Sequence, residues 1–166
     1  MRYFKQHNIS SGKWARDFRA YHKELDRLQG RISRQAWNFF ATGFGGRGLH
    51  DATLLSLSVG DGLDHPLDGS KPFNFNKEKT KVRILILNRK QTMLYSFLCS
   101  KIRKVTFNYP LQNPHWDWHR IEYLDHYELT SVDKKHLRLE FLFSSGAKVL
   151  VEFGRLKFKR QLVKHS

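Results

Sequence analysis

Hydrophobic positions change period once along this chain, and the change divides it. Ser10-Ser11-Gly12 offers a helix N-cap and Gly30 a stop; between them Trp14, Phe18, Tyr21, Leu25 and Leu28 recur at 4-3-4-3 spacing. At ~100° per residue these side chains fall within an arc of about 80°, the stripe of a helix that lays one face on a core. Arg16, Arg19, Lys23 and Arg27 fall on the opposite side and form a basic ridge without paired acids on its arc. A second, short helix is expected to start at Ser33 and cover Arg34 to Ala41, because Ala36, Trp37, Phe39 and Phe40 are too apolar to be exposed together. Gly43-Phe44-Gly45-Gly46-Arg47-Gly48 then makes a flexible connector or a place of close backbone approach. It is not a phosphate loop, because Leu49-His50-Asp51 stands where Lys-Ser/Thr would follow.

From Leu49 the period becomes two. Asp51, Thr53, Leu55, Leu57 and Val59 would share one strand face. Residues 60–76, rich in Gly, Asp, Pro and Asn, read as a long loop, and loops of that length are commonly functional or mobile. Asp61, Asp64 and Asp68 lack the spacing and closing Glu of a calcium loop. Strands follow at Lys81 to Asn88, Thr92 to Cys99, Arg103 to Tyr109 and near Ile121 to Thr130. Leu137, Leu139, Phe141 and Phe143 alternate, turn at Ser144-Ser145-Gly146, and continue into Val149, Val151 and Phe153. Short connections between neighbours imply antiparallel pairing. The expectation is one α+β domain over residues 1–166: a helical pair in 1–48 packed on a mostly antiparallel sheet of about six or seven strands in 49–166.

Composition narrows the function. With 40% hydrophobic and 14% aromatic residues the chain can build a core, which sets aside a disordered tail. No apolar run approaches the ~20 residues of a membrane span, and the first residues have no apolar signal-peptide core. The single cysteine, Cys99, excludes an internal disulfide and a multi-cysteine zinc site, and fits a reducing cytoplasm. Thirty Lys and Arg face fifteen Asp and Glu, a net charge of +15. Such a charge speaks about partners rather than fold, and favours a polyanion: nucleic acid, an anionic membrane surface or an acidic protein. Residues 1–48 carry ten basic and three acidic side chains; the last twelve residues form a second focus, with Arg155, Lys157, Lys159, Arg160 and Lys164 and no acid. Basic and aromatic residues interleave in 101–109 and 155–160, the pattern both of a nucleic-acid face and of a half-buried strand.

Candidate chemistry is sparse. His50-Asp51 resembles the metal-binding pair of phosphohydrolases, but at the start of a strand its side chains would point to opposite faces. A structural role is expected, with Asp51 bonding backbone or a basic side chain near the helix–sheet junction and His50 packing on the other face. His115-Trp116-Asp117-Trp118-His119 is the most unusual pentapeptide. Extended, it separates its histidines by about 13 Å; as a helical turn it points Asp117 away; only a bent loop would gather His115, Asp117 and His119 on a metal. Trp116 and Trp118 would cap the sheet or form a partner-binding tip. No nucleophile elbow, paired-carboxylate arrangement or cofactor motif is present, and Cys99 lies in an apolar strand where a thiol is inert.

Tyr3-Phe4, the helix with Trp14, Tyr21 and Leu25, Leu49-His50-Asp51-Ala52 opening a strand, and the hairpin from His136-Leu137-Arg138-Leu139 through Ser145-Gly146 to Val151-Glu152-Phe153 together suggest a family. On these residues the chain resembles small bacterial proteins of unassigned function in which a (Leu-)His-Asp-Ala segment leads into an antiparallel sheet. Some of these are immunity-protein-like. The resemblance implies no catalytic residue, and no cofactor is expected. Immunity proteins against nucleases are generally acidic, whereas this chain would suit an acidic partner. The leading expectation is a non-enzymatic protein-binding module using the basic helix and the loops at 60–76 and 110–119. The alternative is a nucleic-acid-binding protein using Arg16, Arg19, Lys23, Arg27 and the basic C-terminus. A metal-dependent hydrolase comes third.

Overall fold

A computed structural model describes residues 3, 14–43, 48–61, 63, 79–109, 121 and 123–163. Helices α1 (Trp14–Leu28) and α2 (Arg34–Gly43) precede β1 (Ala52–Gly60), β2 (Lys81–Leu87), β3 (Met93–Asn108), β4 (Tyr123–Ser131), β5 (Leu137–Phe143) and β6 (Lys148–Leu162). The fold is α+β, and the strands close into a barrel in the order β1-β2-β3-β6-β5-β4, every pairing antiparallel.

Alternation explains the barrel. Val82, Ile84 and Ile86 of β2 stand opposite Cys99, Phe97 and Tyr95 of β3, and Phe97 stands opposite Phe158 of β6. Val149, Val151 and Phe153 oppose Phe141, Leu139 and Leu137, as the last hairpin's pattern requires. These side chains, Tyr95 apart, are buried, so every second residue points into one core. Burial pushes the Cys99 thiol up, which keeps it protonated and inert.

Among the described residues β1 and β4 pair at Ala52↔Leu124 and Thr53↔Tyr123. Side chains of α1 serve two backbone groups farther along β4. The Leu129 N–H donates to Tyr21 Oη and the Ser131 N–H to Glu24 Oε1, each at 2.9 Å. Buried backbone donors are thus satisfied without a neighbouring strand. The α1 stripe lies as expected, with Tyr21, Leu25 and Leu28 fully buried. Ser33 caps α2 by accepting from the Ala36 N–H at 3.2 Å. From α2, Phe39 and Phe40 enter the barrel's aromatic core; Phe39 lies 4.7 Å from the Phe158 ring and 5.8 Å from that of Phe97.

Two expectations change. Arg103 to Tyr109 does not start a new strand: it continues β3 across an irregularity between Ile102 and Lys104, beside Lys101 at φ 55°. Gly154 of β6 accommodates it, because a Cβ there would lie 3.0 Å from Lys101 Cβ. In β1 a register shift between Leu54 and Ser56 breaks the expected face. Ala52 is buried and Leu54 and Leu57 pack on the core, while Leu55 and Val59 are exposed. One extra residue in a strand swaps the faces beyond it.

Candidate functional site: a basic groove on the outside of the barrel

The side chains of β2, β3 and β6 that point away from the core form cross-strand rows. Arg83, Leu98 and Lys157 make one row, Leu85, Ser96 and Lys159 the next, and Leu87, Leu94 and Gln161 the last. Leu85, Leu94 and Leu98 floor a hollow of about 420 Å³, with Arg83, Lys157 and Lys159 on its walls. A second hollow of about 370 Å³ shares Leu98 and Lys157 and extends the groove past Lys81, Ser100 and Arg155 to the turn at Gly30–Ser33. Among the described residues, neither hollow has an acidic or aromatic side chain in its lining.

The cations differ in their engagement. Arg83 donates to the Leu63 carbonyl. Arg31 donates to Ser131 Oγ at 2.6 Å and to the carbonyls of Asp133 and His136, which fixes it to the β4–β5 turn. Arg155, Lys157 and Lys159 are exposed and have no carboxylate partner among the described residues. Alternate residues of a strand repeat every ~6.7 Å on one face, so these three make a regular row of charge.

Arg160 departs from the expected C-terminal cluster. It stands opposite Tyr95 in register and lines a different hollow, at the barrel mouth beside α2. Adjacent strand residues alternate, so Arg160 cannot act with Lys157 and Lys159. In the α1 ridge, Arg19 and Lys23 are exposed, whereas Arg27 has a carboxylate within its arc after all: its Nη1 lies 3.7 Å from Glu24 Oε2. The Arg16 side chain, the loop 64–76, residues 44–47, Lys164 and the whole of His115, Trp116, Asp117, Trp118 and His119 lie outside the described residues.

His50 and Asp51 meet rather than diverge. Asp51 precedes β1 with φ 61°, in the left-handed region, and this turns its side chain onto His50: Nδ1 to Oδ1 is 3.1 Å. Asp51 Oδ2 accepts from Arg89 at 2.9 Å, the basic partner expected for it. His50 Nε2 lies 3.8 Å from Asp125 Oδ1, and His126 Nε2 3.7 Å from Asp125 Oδ2, at the register shift of β4. The network ties the β2–β3 turn and both sides of the β1–β4 seam together. Burial lowers the His126 pKa, against the opposing pull of Asp125. Among the described residues no group of three or more His, Cys, Asp or Glu side chains is arranged to hold a metal ion.

Asp125, His126, Lys81 and Arg83 carry no weight in the sequence reading. For the last two a signal exists: basic residues alternate with aliphatic ones at the start of β2, which puts both cations on its outer face. No helix among the described residues is long and apolar enough to cross a membrane. Comparison with protein-family models, curated proteins and solved structures finds no match.

Proposed function

We propose that this chain is a non-enzymatic protein-binding module that holds an acidic partner on the outer face of β2, β3 and β6. The observation that carries this reading is the groove's composition: a leucine floor between walls of arginine and lysine, with no acid among the described residues. A protein segment with alternating carboxylate and apolar side chains satisfies both parts, burying leucine surface at roughly 25 cal/mol per Å² while its charges meet the walls. Among the described residues bases find no aromatic platform in the groove, which favours a protein segment over single-stranded nucleic acid. The resemblance to immunity-like proteins fits, since such proteins work by covering a partner's surface. The charge row Arg155, Lys157, Lys159 gives the second reading, a phosphate backbone, its specific support.

The test is a titration of labelled probes: a peptide alternating glutamate with leucine, single-stranded DNA, RNA and duplex DNA, at about 50 and about 200 mM salt. The peptide is expected to bind saturably, and Lys157→Glu with Lys159→Glu to weaken it by about tenfold or more. Steep salt-dependent binding of duplex or RNA, with none of the peptide, would move the assignment to nucleic acid.

A further inference from the structure

The aromatic core of the barrel opens to solvent beside α2, in a hollow of about 340 Å³. On one side α2 presents Gln35, Asn38 and Phe39, spaced as one helical face. On the other stand Tyr95, Phe158 and Arg160. The rings form one cluster at the mouth: Tyr95 and Phe158 lie within 25° of parallel with centroids 6.2 Å apart, and Phe39 lies 5.3 Å from Tyr95. Phe39 and Tyr95 are half-buried, so ring surface remains for a ligand. The Gln35 and Asn38 amides and the Arg160 guanidinium are exposed and have no protein partner among the described residues.

We propose that this mouth binds a planar heteroaromatic anion, of the kind a nucleoside monophosphate represents. The ring system stacks on Tyr95 and Phe39. The two primary amides each offer a donor and an acceptor, the pairing that reads the edge of a heterocycle. Arg160 takes the anion through its planar fork. The hollow is of the size that holds one such molecule, within the ~300–1,000 Å³ of small-ligand sites. The proposal stands apart from the groove, because Arg160 and the Lys157–Lys159 row lie on opposite faces of β6.

Calorimetry and amide chemical shifts with AMP, adenosine and ribose 5-phosphate test it on the full chain. AMP is expected to bind most tightly, with shifts confined to α2 and the facing ends of β3 and β6. Arg160→Gln is expected to weaken AMP by about tenfold and leave adenosine unchanged, and Asn38→Ala to weaken both. Thermal melting of each variant checks that it folds. Absence of saturable AMP binding, or equal AMP affinity in Arg160→Gln, would overturn the proposal. So would loss of AMP binding in Lys157→Glu with Lys159→Glu, because that places the nucleotide in the groove.

Discussion

Two cationic stretches lie on the outside of this barrel, and they differ in what faces them. Around β5 and the bulged half of β3, Arg138 Nη2 lies 2.7 Å from Glu152 Oε1, Arg103 Nε 3.7 Å from Glu152 Oε2, and Arg103 Nη1 3.1 Å from Asp133 Oδ2. Glu152 is buried, so these arginines serve the fold by satisfying it. Along the other half of β6, Arg155, Lys157 and Lys159 have no such counter-charges among the described residues. Among the described residues no fold contact engages their charges, so they are the charges that the proposed partner would meet. A net charge of +15 cannot distinguish the two stretches; the placement of a few acids does.

Substitution should separate them. Glu152→Ala leaves two arginines facing a buried gap and is expected to cost about 2 kcal/mol in urea unfolding, less than a fully buried pair because both arginines are part-exposed. Partner binding should be unaffected. Lys157→Ala with Lys159→Ala should do the reverse, changing stability by less than about 0.5 kcal/mol while weakening the acidic peptide. If the single and the double substitution destabilised equally, the division would fail.

The seam offers a second contrast, since one side of β4 pairs along its length with β5 and the other is held by β1 at its start and by α1 side chains farther along. Tyr21→Phe removes the acceptor of the Leu129 N–H and leaves that buried donor unmet, at a cost of about 1–2 kcal/mol. Amide exchange should quicken at Leu129 and not in the β5–β6 hairpin.

What could be read in the sequence follows range. The α1 stripe and the last hairpin are local repeats, so their periods are visible in a window of a dozen residues. The shifts at Leu55 and Arg103 turn on one residue each and leave composition unchanged, so β1 presents a different face and β3 absorbs an expected strand. The groove is a similar case. The cations of β2 and β6 are each visible as alternation, but joining them requires β3 between the two, a pairing across more than fifty residues. Arg160 fails for the opposite reason: sequence adjacency to Lys159 suggested company that strand alternation denies.

Acid titration sharpens the contrast between paired and buried charge, in two windows. His126 has a lowered pKa in the fold, because burial penalises its charged form. The unfolded chain therefore takes up this proton first, and stability should fall as pH drops below the ordinary histidine value of about 6.5. His126→Gln should flatten that slope. Asp133 is the opposite case: its hydrogen bond with His136, then the N–H of Lys135, hold it down at about 2. Its contribution is complete above the usual 3.8 and is lost as pH falls from there towards 2. Asp133→Asn should remove only that lower slope, and by a small amount, because the carboxylate lies in solvent. Urea midpoints measured from pH 7 to 2 on the two variants separate the windows; a single slope unchanged by either substitution would mean that neither group is held as its surroundings imply.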